Sequence, residues 1–572
     1  MRRGSHSALG AIAVGLSLVV LSACGGAASP STAAPATQTA STAATAAATT
    51  SAASAAKSGI IVDGLFEEPN HINPILGPGM TFAEIVDNAL FRNLFNVTPQ
   101  GQLTPDLASV VPTQANGGIS SNGLTYTIHL RSNANWTNGQ PVTCQDIITT
   151  WKIDINPKVI ALNTTGWSSI KSISEVNGNP KVCQVVLKGP TPALLQDAFS
   201  LAGTPGILPN SVFGKYVSNP TAVANAAFNH DPTVSDGPFM FKNWVPGASI
   251  TVVANPKWYG PKPKAKEIVF KIIPSQPTLL TSAQAHSINI YYFAPITQAK
   301  QLQAIPGAHV FFTGGPAWEQ ARVNMHNPVL QHLRVREAIE LALDRQQLVT
   351  KIWQGHAILL GADQPPGTPG ANPSVKPWPY DPTKAMALLK QVLPGMGYTL
   401  TNGLWTKGGK PLTFIFSTTA GNTYREESEQ LYQFWLKQVG ITLDIKNYPS
   451  NAFFGHVLPS GKGWDFGEAE SSEGLDPVAT FQTDFICNAP GNFGDMCNQQ
   501  IDTLVSQAAS SPTFSQAMKY IQQAEVIMNQ QLYDLWLYSP ASISAAIDMT
   551  GYTPNPYAVD TWNCYDWAPT AS

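Results

Sequence analysis

Charge is what this sequence has least of. Asp, Glu, Lys and Arg supply only 12% of its 572 residues, and the formal net charge is −3. Nowhere do lysines and arginines gather into the basic stripe that a phosphate backbone needs, which excludes nucleic acid as a partner. Catalytic punctuation is missing as well: there is no G-x-S-x-G elbow, no H-E-x-x-H and no Walker loop. Spacings such as C-x-x-C or H-x-H are absent, so no metal and no cofactor are expected. Cysteine is sparse, at six residues. Beyond the N-terminus no run approaches the ~20 apolar residues of a membrane-spanning helix.

The N-terminus does carry a signal. Arg2 and Arg3 precede an apolar stretch from Ala8 to Leu21, too short to span a bilayer, in the layout of a signal peptide over 1–23. It ends in Leu21-Ser22-Ala23-Cys24, the arrangement of a lipobox, with lipid expected on Cys24. Residues 24–58 are almost wholly Ala, Thr, Ser and Pro. Such a segment has no large side chain to bury against its ordering entropy, so a disordered tether is expected. The protein would then sit on the outer face of the cytoplasmic membrane, or in a periplasm, held by its N-terminal lipid.

From Ile60 onward the composition is globular, with no second linker and no internal repeat. Strand-like alternation at Leu124–Arg131 and helical spacing at Val335, Ala338, Ile339 and Ala342 give an α/β class. After that helix, Asp344 and Gln347 stand in the spacing of a capping box, and Gly355 can end a second short helix.

The string from Arg322 to Gly355 closely resembles a signature of the extracellular solute-binding proteins of family 5, the peptide and nickel binders of ABC importers. Asn324, Arg334, Arg336, Ala338, Ile339, Ala342, Asp344, Arg345 and Gly355 carry that resemblance. Leu124–Arg131 with Trp136-Thr137-Asn138-Gly139, Asp236-Gly237-Pro238-Phe239 and Tyr380-Asp381-Pro382 extend it along the chain. At Ser282–Ile290 the usual Gly and Asp are lost. The resemblance implies a two-lobed periplasmic-binding-protein-like fold of type II, in the large cluster with an extra subdomain in lobe one. The expected division is 59–310 for lobe I, with the subdomain at about 105–205, then 311–530 for lobe II and 531–572 returning to lobe I.

The same resemblance implies function: capture of a small solute, foremost a di- or oligopeptide, by a monomer that delivers it to ABC permease subunits. A nickel chelate or an oligosaccharide is the alternative ligand; a secreted glycosidase or a surface adhesin is the distant rival. Glu473, four residues before Pro477, falls where peptide-binding relatives hold the ligand's ammonium, and Trp464 leads into that segment. His71 and Asn73, in a loop before a helix, and Asp236 with Gly237, at a turn whose backbone a ligand can approach, complete the ligand-binding expectation. For disulfides, relatives suggest Cys487–Cys497, with Cys144–Cys183 second and Cys564 left over.

Overall fold

The computed structural model describes residues 59–77, 81–472 and 474–570. The expected signal peptide, the tether and the lipidated Cys24 lie outside these residues, as does Glu473. The body opens on β1 (Ile60–Leu65) and α1 (Thr81–Leu90). A side unit follows: β2 (Thr125–His129), α2 (Cys144–Asp154), β3 (Ile170–Val176) and β4 (Asn179–Leu187), with strand order β2–β4–β3. Gly139 takes φ 86° in the turn before α2, and Thr143 with Asp146 closes a capping box at its start. The disulfide Cys144–Cys183 ties α2 to β4. Tyr126, Trp136 and Trp167 bury in the same core as Ile61 and Phe270. The side unit is therefore an extension of the first lobe's core and not a separately packed domain.

The chain then lays down β5 (Phe239–Val245), β6 (Ser249–Ala254), β7 (Glu267–Ile272), β8 (Ile290–Tyr291) and β9 (Ala308–Thr313). Gly314-Gly315-Pro316 carries it into the second lobe. There β10 (Ala317–Val323) precedes α3 (Leu333–Ala342), β11 (Ala357–Leu359) and α4 (Pro382–Val392). Next come β12 (Thr413–Ser417), α5 (Thr423–Gln438), β13 (Thr442–Ile445) and β14 (Phe466–Ser472). Three helices, α6 (Pro477–Asp484), α7 (Gln499–Ala509) and α8 (Phe514–Gln531), lead to β15 (Asp534–Pro540). After Ala541 the chain re-enters the first lobe as β16 (Ser542–Ile547).

Two sheets result, ordered β9–β16–β8–β1–β7–β6–β5 and β11–β15–β10–β14–β12–β13. This is the two-lobed α/β fold. The return to the first lobe begins after Pro540, because Asp534–Pro540 pairs with β10 and β11 in the second sheet and not, as expected from 531 onward, in the first. At the other crossing β9 keeps residues 308–313 in the first lobe, a few residues beyond the expected change at 311.

Within the string from Arg322 to Gly355, packing accounts for the residue types. Val335, Ala338, Ile339 and Ala342 are all buried in the second lobe's core. Arg345 forms a buried ion pair with Glu340 at 2.6 Å and donates to the backbone carbonyl of Trp536. Arg336 donates to the carbonyl of Gln531 at 2.9 Å. Arg336 thus pins α3 to the end of α8, and Arg345 pins the turn after α3 to β15. Asp344 and Gln347 meet side chain to side chain at 2.7 Å, but Asp344 caps no backbone amide. The short helix after it is a wide turn of π type, Leu348–Ile352. The second disulfide, Cys487–Cys497, is present as expected, and Cys564 is a buried free thiol pushed up to about 12 by that burial.

Candidate functional site

Both crossings between the sheets contain proline, Pro316 in one and Pro540 in the other. Proline has no amide hydrogen for a ladder, so each crossing is a place where one sheet stops and the next begins. Above these crossings lies a cleft of about 610 Å³. The first lobe contributes Glu84 of α1, the segment from Tyr292 to Ile296, and residues 554–559. The second lobe contributes Trp353, Tyr424 of α5, and Glu470 and Ser472 of β14.

Aromatic pairs stand on both sides. Tyr292 and Phe293 have ring centroids 4.0 Å apart in the first lobe, and Trp353 stacks on Tyr424 at 5.2 Å in the second. Phe293 is 37% exposed, and its backbone is left-handed at φ 56°. A bulky side chain in that region is held there by its surroundings at some cost, a pattern common at ligand-binding positions. The lobes also touch beside the cleft, where the rings of Phe312 and His356 stack 3.4 Å apart.

The electrostatics are one-sided. Among the described residues lining the cleft there is no Lys, Arg or His, while Glu84 and Glu470 face it from opposite lobes. Burial pushes Glu84 up to about 7. Glu470 is likewise raised by burial, opposed by attraction to Arg425. Arg425 itself stands behind the wall, committed to Glu319 at 2.7 Å. Glu319 lies directly opposite Glu470 across β10 and β14, and burial pushes it to about 7 despite Arg425. Beneath Tyr292 in the first lobe, burial raises both Asp63 and Asp560; Asp560 raises Asp63 further, while the hydrogen bond from Asp63 opposes the rise of Asp560. A bare cation or ammonium entering this cleft meets acceptors and aromatic faces, the two partners it binds best.

The expected contact residues sit elsewhere. Asn73 is buried, donating to Asn229 at 2.9 Å and accepting from the Ile75 amide at 3.3 Å. His71 is buried nearby, and that burial, with His230 beside it, lowers its pKa. Asp236 accepts from the Arg92 amide at 3.0 Å, and the Gly237 amide donates to Leu90 at 2.7 Å. A Cβ at Gly237 would come within 2.6 Å of the Leu90 carbonyl carbon, so this glycine serves close packing against the end of α1. Trp464 is buried against Phe453 and Leu458, its indole donating to the Val457 carbonyl at 3.1 Å. None of these five residues lines the cleft: Asn73, Asp236 and Trp464 hydrogen-bond within the fold, Gly237 serves close packing, and His71 is buried with both ring nitrogens unpartnered among the described residues. Glu473 follows Ser472, a lining residue, in sequence but lies outside the described residues.

The cleft residues that sequence reading passed over are Glu84, Tyr292, Phe293, Trp353 and Tyr424. Only Glu84 leaves a trace, as an acid on an otherwise apolar turn of α1; the aromatics read as ordinary core.

A family model described as bacterial extracellular solute-binding proteins, family 5 Middle, matches residues 102–481. The oligopeptide-binding protein AppA of Bacillus subtilis is 24% identical over 521 residues, which cover 89% of this chain and 92% of the relative. The structure of that protein with a nonapeptide superposes with TM-score 0.66 at 21% identity, covering 89% of this chain and 99% of the other. NikZ from Campylobacter jejuni in complex with Ni(L-His) gives TM-score 0.67 at 22% identity, with the same coverage of both chains.

Proposed function

We propose, from the premise that this chain belongs to the bacterial extracellular solute-binding proteins of family 5, that it captures a peptide with a free amino group between its lobes and hands it to an ABC permease. One observation carries this reading: carboxylates from both lobes, Glu84 and Glu470, face a cleft that no described cationic side chain lines. An ammonium bridging them gains charge-assisted hydrogen bonds only when the lobes are together. That difference in affinity between closed and open forms is what shifts the population to the closed form, which the permease then recognises. The aromatic pairs supply apolar burial for the ligand's body.

Glu473 is kept as a further acceptor next to Ser472, and Glu473→Ala is expected to weaken a free-amine peptide about tenfold. Cys24 carries the lipid, residues 24–58 give the body reach above the membrane, and the protein acts as a monomer without chemical turnover. No helix among the described residues is long and apolar enough to cross a bilayer. A positively charged metal chelate is the second reading, favoured by the same uncompensated carboxylates.

Calorimetry of the purified protein separates the two. Dipeptides and tripeptides should bind, and N-acetylated peptides, Ni(II)-histidine and maltotriose should not. Binding of the chelate alone would replace the peptide reading with the second one. Binding of the sugar alone would end both.

A further inference from the structure

One leucine of the second lobe is buried by the first. Leu475 stands between β14 and α6, three residues after Ser472 of the cleft wall, and is 3% exposed. The apolar cluster it joins is otherwise made of first-lobe residues: Val97, Leu103, Ala202 and Tyr557. Gly101 takes φ 73° beside this socket, and a Cβ there would stand 3.2 Å from Leu475 Cδ2. The missing side chain lets the leucine seat closely.

Each half of the contact is held by its own lobe. On the second lobe, Asp476 accepts from the Val478 amide at 3.0 Å, and Pro477 opens α6, whose Val478 and Phe481 are buried in the core there. Leu475 is thus carried on the fixed start of a helix. On the first lobe, Asn555 donates to the Val97 carbonyl at 2.9 Å and accepts from the Tyr557 amide at 3.0 Å, which fixes the wall of the socket.

The socket adjoins the ligand space through one ring. Tyr557 packs in the cluster of Leu475 and also lines the cleft. Its hydroxyl donates to the Gly367 carbonyl of the second lobe at 3.4 Å. Parting the lobes would expose Leu475 and uncover Tyr557, while the bonds that shape the tip and the socket stay made.

We infer that Leu475 is a latch: seated among Val97, Leu103, Ala202 and Tyr557, it favours closure with or without ligand, so that a ligand has less of the closing free energy to supply. Burial of a leucine side chain shifts such an equilibrium by about ten- to a hundredfold. Only the closed fraction is competent to hold ligand tightly, so losing the latch lowers apparent affinity by the fraction of closed protein lost. The leucine is absent from the cleft lining, so it strengthens binding without choosing among ligands.

Small-angle X-ray scattering of the purified protein without ligand reads the separation of the lobes, with circular dichroism to show that each variant is folded. Leu475→Ala and Leu475→Asp should give a larger radius of gyration than the native protein. Leu475→Met, close in volume, should keep the native value. Leu103→Ala removes part of the same contact from the first-lobe side; it should also open the lobes, and adding Leu475→Ala to it should change little more. Calorimetry with a pool of free-amine tripeptides should show affinity about tenfold weaker in Leu475→Ala, by a similar factor for each tripeptide tested singly. A folded Leu475→Asp that scatters as the native protein does overturns the latch, whether both are open or both closed. If no tripeptide binds the native protein, the peptide reading above fails, and the scattering alone still decides the latch.

Discussion

Asp197, in the first lobe just beyond its side unit, lies close enough to Asp476, the residue that caps α6 in the second lobe, for each acid to act on the other's proton. Burial first, and the other acid second, raises Asp197 well above its ordinary value; Asp476 is pushed up to about 6, chiefly by burial. Two such groups rest together only while they share a proton, so the contact joins the lobes in acid and drives them apart once both ionise.

That contact makes closure pH-dependent. Opening returns Asp476 from about 6 toward 3.8, so the closed form binds the proton more tightly. The contribution to closure is therefore complete below about pH 4, begins to fall as Asp476 ionises near 6, and is gone only once pH passes the raised value of Asp197 as well. Ligand affinity of the native protein should fall between pH 5 and pH 7.5 relative to that of Asp197→Asn, whose amide can donate to Asp476 at either pH. Calorimetry at the two pH values measures the difference; parallel profiles would show that the pair does not gate closure.

Glu84→Gln and Glu470→Gln should each weaken a free-amine peptide by about tenfold, since a charge-assisted hydrogen bond contributes roughly 1.5–3 kcal/mol. N-acetylation of the peptide should lower affinity for the native protein and make no further difference in the double variant. An acetylated peptide that binds the native protein as well as the free amine does would remove the ammonium from the cleft.

Arg425→Met should destabilise the protein by about 3–5 kcal/mol in urea unfolding, because it leaves Glu319 buried beside Glu468 and Glu470 without its partner. The double variant Arg425→Met, Glu319→Met should recover most of that loss. A single variant as stable as the native protein would mean that the pair contributes little to the second lobe.

Trp464→Ala should cost about 3–5 kcal/mol of stability, as for any large side chain removed from a packed site. Binding at a temperature where the variant is folded should stay near the native value, because Trp464 packs on Phe453 and Leu458 away from the cleft. A selective loss of affinity in a stable variant would return Trp464 to the ligand.

Global stability should decline from about pH 5 to pH 8. Burial raises Glu340, Asp363 and Asp560 to about 7 and Asp154 to about 8. Their folded-state values lie above the unfolded ones, so the folded protein holds more protons across this window and loses stability as pH rises. Chemical denaturation at half-unit steps measures the slope, and a flat profile would contradict the burial of these acids.

Much of the fold was legible because it depends on local rules. The period-two run at Leu124–Arg131 became β2, and the helical spacing at Val335–Ala342 became α3, each within a few residues. Reading failed where distant partners decide. Asp344 and Gln347 stand in the spacing of a capping box, but the carboxylate of Asp344 meets the Gln347 side chain and no backbone amide, and the helix after it widens into a π turn. Asn73, Asp236 and Trp464 looked like contact residues because polar or aromatic groups in loops commonly are. Their own hydrogen bonds to Asn229, Arg92 and Val457 were invisible in the chain.

The sequence by itself determined the class of molecule: which stretches pair as strands, which faces of helices turn inward, and where proline forbids a sheet from continuing. These follow from periodicity and backbone chemistry, which act over a few neighbours. Only the tertiary structure decided what the cleft is made of. Glu84 and Glu470 are 386 positions apart in the chain, and Tyr292 meets the space shared with Tyr424 only because two sheets are joined at Pro316 and Pro540. Whether a carboxylate faces a ligand or a neighbouring amide depends on which elements close around it, and that is a property of packing.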